Sequence, residues 1–158
     1  MTETSFWQSL RKKLVPRVYA LKLNLRFVAG VPDCWLSGSE EDLWLELKYV
    51  QKLPPIVDST KLLTALQQQW LAERYAEGRR VGALIGSSDG HLFFSGLSWQ
   101  KPISREKWIQ TGMTTKEMAD FLVERLGDRG CIPYNSPYEP NNSGRPQPGV
   151  IADPLASS

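Results

Sequence analysis

The sequence predicts a small α/β domain with a mixed central β-sheet flanked by helices, and two patterns carry that prediction. Tyr19 to Val28 alternates strictly, with Tyr19, Leu21, Leu23, Leu25 and Phe27 on one face and Ala20, Lys22, Asn24 and Arg26 on the other, the period of a strand. Around it, Trp7, Leu10 and Leu14, and later Met118, Phe121, Leu122 and Leu126, recur at helical spacing. The elements run helix, three strands, helix, two strands, helix, an order that suits a mixed sheet and not a doubly wound parallel fold.

The first helix spans Thr2 to Leu14 and is stopped by Pro16. The long strand Tyr19 to Val28 ends in Ala29-Gly30-Val31-Pro32, a turn or bulge that delivers Asp33 onto a short second strand, Asp33 to Leu36. A polar loop, Ser37 to Asp42, leads into the strand Leu43 to Val50. After Pro54-Pro55 a helix ends near Glu77, with Gly78 placed to terminate it. Its start is open: Ser59 or Thr60 caps it, or Thr64 does with Gln67 completing a capping box. Arg80 to Gly86 is a strand, Ser87 to Gly90 a turn, His91 to Phe94 a short strand, and Thr114 with Glu117 opens a last helix that ends at Gly127. Residues 1–127 form the folded domain. Residues 128–158 hold six of the eleven prolines among Asn, Ser and Gly and read as an extended or disordered tail.

At 158 residues the chain is one domain that can bury a core, and 41% hydrophobic with 23% charged residues is ordinary for a globular protein. No apolar run approaches the roughly 20 residues that span a bilayer, and the N-terminus lacks a secretory signal, so the expected compartment is the cytoplasm. Cys34 and Cys131 are too few and too distant for a disulfide framework or a zinc site, and Cys34 reads as a small buried hydrophobe. The net charge of +2 is unevenly spread. Residues 1–36 hold six basic side chains (Arg11, Lys12, Lys13, Arg17, Lys22 and Arg26) against Glu3 and Asp33, a local balance of +4. Such a segment is either a set of solvated faces or a wall that contacts backbone phosphates.

The chemistry concentrates at Asp33 and, across the next loop, Glu46-Leu47-Lys48. Residues two apart on a strand share a face, so Trp44, Glu46 and Lys48 point one way and Leu43, Leu45 and Leu47 the other. The bland reading is an exposed face with a weak Glu–Lys pair. The functional reading is that Asp33 and Glu46 converge from adjacent strands as hard oxygen ligands for Mg²⁺, with the backbone carbonyl of Leu47 as a third ligand. Lys48 then holds a nucleophilic water or neutralises charge on a scissile phosphate. Mn²⁺ is the open alternative ion. His91 is the only histidine and lies at a hairpin edge with no partner spacing, which assigns it a surface or hairpin role and excludes histidine acid–base chemistry as the main mechanism.

The run Gly30-Val31-Pro32-Asp33, then Trp44-Leu45-Glu46-Leu47-Lys48-Tyr49, Gln67-Gln68-Gln69-Trp70-Leu71 and Gly78-Arg79-Arg80-Val81 resembles the PD-(D/E)xK nuclease superfamily. More narrowly it is similar to the VRR-NUC branch (virus-type replication-repair nucleases), especially its small stand-alone phage members. The resemblance covers roughly residues 3 to 95, and residues 96 to 158 match nothing in the family's shared core. It implies a restriction-endonuclease-like core, Asp33 and Glu46 as metal ligands and Lys48 as the catalytic lysine. Glu3 matches an acid on the family's first helix, against a plain helix-dipole role. Gln67 matches a glutamine after the catalytic strand, against the capping-box role. The implied activity is Mg²⁺-dependent hydrolysis of DNA, selective for branched or Holliday-junction substrates, in recombination, replication or genome processing. The implied partners are DNA and a second copy of the chain, since symmetric cutting of two strands needs two sites. Trp99 and Trp108 are candidates for that dimer interface, with core packing as the competing use. The alternative function is a non-catalytic nucleic-acid-binding module on a nuclease-like fold.

Overall fold

The computed structural model describes residues 1–25 and 27–130. In chain order the elements are α1 (Glu3–Leu14), β1 (Tyr19–Lys22), β2 (Cys34–Ser37), β3 (Asp42–Val50), β4 (Ile56–Val57), α2 (Ala65–Ala76), β5 (Val81–Ser87), β6 (Leu92–Ser95), β7 (Ile103–Ser104), α3 (Arg105–Thr111) and α4 (Thr115–Leu126). The central sheet has the order β1-β2-β3-β5-β6. Its β3–β5 pair is parallel and the others antiparallel, so the sheet is mixed and flanked by helices as the sequence predicts. The parallel pair requires a crossover, and the chain uses α2 for it.

Each face of the sheet has its own core. On one, Phe6, Trp7, Leu10 and Leu14 of α1 and Met118, Leu122, Val123 and Leu126 of α4 pack on Cys34, Leu36, Leu43, Leu45 and Leu47. On the other, Leu71 of α2, Trp99 and Trp108 cover Val81, Ala83, Ile85 and Phe94. β3 therefore has apolar contact on both sides, and its Glu46 is buried with it. Trp99 and Trp108 are interior side chains, which removes them as a dimer interface: the segment that carries them folds back as a 3₁₀ turn and α3 to close the second core.

Three helices start on capping boxes, Thr2 with Ser5, Thr64 with Gln67 and Thr114 with Glu117, which satisfy N–H groups that no helical carbonyl reaches. Of the two starts open for α2, the cap is Thr64. Ser59 and Thr60 lie instead in a separate 3₁₀ turn capped by Asp58. Gly78 and Gly127 follow α2 and α4 with φ of 80° and 88°, a backbone that favours glycine.

Two sequence readings need correction. The strand expected over Tyr19–Val28 stops at Lys22, because β2 begins at Cys34 and offers no further partner. One more bond, Leu23 N–H to the Asp33 carbonyl (2.7 Å), closes the pair, and Pro32 has no N–H to extend it. His91 is not on the surface. It is buried, its ring lies 4.4 Å from that of Phe6, and Nε2 meets the Thr115 hydroxyl at 3.0 Å. Burial also lowers its pKa.

The β2–β3 loop caps the end of α4. The Ser39 N–H donates to the Gly127 carbonyl (2.9 Å), and the Glu40 and Glu41 N–H groups to the Leu126 carbonyl (3.0 and 3.1 Å). Gly38 permits this approach, since a Cβ there would lie 2.1 Å from the Leu126 oxygen. Gly38→Ala is expected to cost roughly 1–3 kcal/mol, read from denaturant midpoints at unchanged slope. A change below about 0.5 kcal/mol, ordinary for a surface site, would show that the loop yields freely.

Residues 128–130 return to α1's end, where the Arg129 N–H donates to the Arg17 carbonyl (2.8 Å) and Arg17 pairs with Asp128 and Asp120 at 3.1 and 2.8 Å. The remainder of the predicted tail, and Cys131, lie outside the described residues. Among the described residues no helix is long and apolar enough to cross a membrane.

Candidate active site

Strand register brings Asp33 and Glu46 together. Cys34 is paired with Leu45, so Asp33, one residue before β2, falls beside Glu46 and Leu47 of β3. Its Oδ2 accepts the Leu47 N–H at 3.3 Å. The N–H and carbonyl of one strand residue point to the same side, so the Leu47 carbonyl also faces the gap beyond β2.

Glu46 has no solvent exposure. Its Oε1 accepts the Lys48 ammonium at 2.8 Å and the Gln67 amide N–H at 2.5 Å. Its Oε2 is buried with no hydrogen-bond partner among the described residues. The exposed-face reading of this strand is thereby replaced by a buried carboxyl, bonded to Lys48 and Gln67 through one oxygen and unpartnered at the other, a costly arrangement for a core strand.

The two uses weighed for Gln67 coexist. Oε1 accepts the Thr64 N–H at 2.9 Å, completing the α2 cap, while Nε2 donates to Glu46. These opposite demands fix which end of the amide faces which partner. Gln67→Glu keeps the cap acceptor but turns a donor toward Glu46 into a third carboxylate. It is expected to melt lower than Gln67→Ala at pH 9 in chelator, with the order narrowing or reversing at pH 5 as the carboxyls protonate. Melting curves of the two variants at both pH values check this.

Glu3, the first residue of α1, reaches the cluster from the opposite face of the sheet. Its Oε1 is 3.8 Å from the Lys22 ammonium. Burial and then the charge of Asp33 raise the Glu3 pKa, against the pull of Lys48 and Lys22. Glu3 thus sits within electrostatic reach of the group without a direct hydrogen bond to Asp33 or Glu46. Lys22 is the residue missed from sequence. It is the last residue of β1, paired with Cys34 on the α1 side of the sheet, and that register is the signal that sets it within reach of Glu3.

The electrostatics show acids crowded together. Burial first, and then the negative charge of Asp33, push the Glu46 carboxyl up to about 8, although Lys48 pulls the other way. For Lys48, burial alone would lower the pKa, but the hydrogen bond and charge of Glu46, with Asp33 and Glu3, outweigh it and raise it. Cys34 is buried, and burial with the neighbouring Asp33 charge raises its thiol pKa far from reactivity.

The donor set bears on which metal would fit. Among the described residues, no three side chains of His, Cys, Asp or Glu converge as a metal cage. One or two carboxylates plus a carbonyl, with water and substrate phosphate completing the shell, is the set that Mg²⁺ takes, unlike Zn²⁺. The orphaned Oε2 of Glu46 and its like-charged neighbour are the features a cation would relieve.

No protein-family model matches the chain. No curated protein matches it in sequence. Among solved structures it is similar to Hjc of Archaeoglobus fulgidus, a Holliday junction resolvase from an archaeal hyperthermophile, at 16% identity over 75% of this chain and 96% of that one, with a TM-score of 0.47.

Proposed function

We propose that this protein is a Mg²⁺-dependent DNA endonuclease that hydrolyses phosphodiester bonds, selective for branched over linear duplexes and acting as a homodimer. The observation that carries the reading is Glu46: fully buried, orphaned at Oε2, beside Asp33 and paired with Lys48. A carboxylate held this way costs stability and makes sense where a cation and a phosphate arrive to use it. The sheet order, with its parallel β3–β5 pair at the centre, fits the restriction-endonuclease-like core implied by the sequence resemblance.

In this reading Asp33 and Glu46 hold the ion, with the Leu47 carbonyl as a third ligand. When bound, the ion supplies Lewis-acid polarisation of the scissile phosphate and a lowered pKa for water. Lys48, anchored on Glu46 Oε1, remains protonated and places its charge where negative charge grows on the phosphate oxygens. Gln67 and Lys48 both bind Oε1 of Glu46, which orients the carboxyl and leaves Oε2 for the ion. Glu3 and Lys22 tune the local charge from the α1 side. The exposed basic residues Arg11, Lys12 and Lys13 at the end of α1 suit contact with flanking backbone phosphates.

The test is cleavage of a labelled four-way junction beside a matched linear duplex, with Mg²⁺ or EDTA. Paired, metal-dependent cuts across the branch are expected. Equal cutting of both substrates would remove branch selectivity, and a folded protein that binds DNA but never cuts would favour the non-catalytic binding module. Light scattering at micromolar protein reads the dimer.

A further inference from the structure

The loop between β1 and Asp33, rooted at the site, leaves an aromatic ring in open water. Phe27 is 98% exposed, and Leu25, Val28 and, on α2, Leu66 are each about half exposed. Together these four side chains put apolar surface in contact with water, the kind of patch that a partner can cover. The loop begins and ends at the candidate site. Its first root is the bond from the Leu23 N–H to the carbonyl of Asp33. Near its far end Gly30, with φ of 85°, lies so close to α2 that a Cβ there would be 2.7 Å from the Leu66 carbonyl oxygen, one residue before Gln67. The ring is therefore carried by a short bridge from a proposed metal ligand to the helix turn that holds the other in place.

We propose that Phe27 stacks on a base left unpaired or unstacked at the branch point of the DNA, setting which phosphodiester enters the site. The proposal rests on the nuclease reading given above. Bases at a branch lose a stacking neighbour, and an aromatic ring supplies a replacement without regard to sequence. Exposed aliphatic neighbours Leu25 and Val28 extend the apolar platform, and the exposed Arg11, Lys12 and Lys13 of α1 offer the charge that flanking backbone phosphates need.

Phe27→Ala, Phe27→Leu and Phe27→Trp separate stacking from mere apolarity, and the exposed position keeps all three folded. The probe is a four-way junction with 2-aminopurine at the branch point, assayed for affinity, fluorescence and cut position with Mg²⁺. The expected result is about tenfold weaker junction binding and scattered cut sites for the Ala and Leu variants, with Trp restoring both, in line with the stacking of one base on one ring. The fluorescence change should follow the same pattern. Wild-type cutting with Phe27→Ala or Phe27→Leu indistinguishable from it would overturn the stacking role and leave the nuclease intact. Loss of dimer mass in Phe27→Ala would also overturn it, assigning the ring to a contact between copies. A wild-type protein that neither binds nor cuts the junction would remove both readings together.

Discussion

Lys48→Ala should lower metal-dependent cleavage by at least about a hundredfold, the usual loss when one charge-stabilising group is taken from a reacting phosphate or carbonyl. Folding should survive the change. Without Lys48, the Glu46 carboxyl loses the partner that pulls its pKa down and takes up a proton, so no naked charge is left in the core. Asp33→Asn is expected to lose cleavage equally, by a different route. The Asn oxygen can still accept the Leu47 N–H, so the local geometry has a substitute, but a carboxylate ligand is gone. Initial rates on the junction substrate, beside circular dichroism melts, check both. A variant that keeps more than about a tenth of the rate would remove its residue from the chemistry.

The second large effect is a conflict between stability and activity centred on Glu46. In chelator, its folded-state pKa of about 8 lies above the ordinary carboxylate value of 4.5. The folded protein therefore holds a proton that the unfolded chain has released. The stabilising contribution is fully present below the ordinary value, declines as pH rises, and is lost once pH passes the folded value. Melting temperature in EDTA should fall between pH 5 and pH 9, with a free-energy span of the order of a few kcal/mol. Glu46→Gln, which cannot ionise, should flatten that slope and melt higher than wild type at pH 9 while being inactive. Mg²⁺ should stabilise the wild type most at high pH, where both carboxylates are charged, and leave Glu46→Gln much less affected. A wild-type melting temperature that rises from pH 5 to pH 9 in chelator would contradict the assigned crowding of acids.

What could be read from the sequence, and what could not, follows a physical line. Alternation at Tyr19 to Val28 identifies a strand, but a strand lasts only as long as its neighbour, and Pro32 and Gly30 end that neighbour at Asp33. The helix caps were legible because each is a local contract over three residues. Choosing Thr64 over Ser59 needed the Gln67 partner, Glu46, which lies on another element. The two-residue strands β4 and β7, the 3₁₀ turn at Trp99 and the seven-residue α3 around Trp108 are too short for a period to be detected, and tertiary packing largely decides them. Placement of Asp33, Glu46 and Lys48 side by side was legible from strand parity and loop length. The burial of Glu46 was not, because it depends on α2 crossing over β3 and β5.

The hydrogen bonds from the Ser39, Glu40 and Glu41 N–H groups to the last carbonyls of α4 tie the hairpin that bears Asp33 and Glu46 to a helix made much later in synthesis. On the ribosome the two acids emerge well before α4, and α1, which carries Glu3, must also wait for α4 to complete its apolar face. Long-range closures of this kind come late in folding. On the proposed nuclease reading, a nascent chain should therefore become competent to cut only once α4 has left the exit tunnel and closed the core behind its acids.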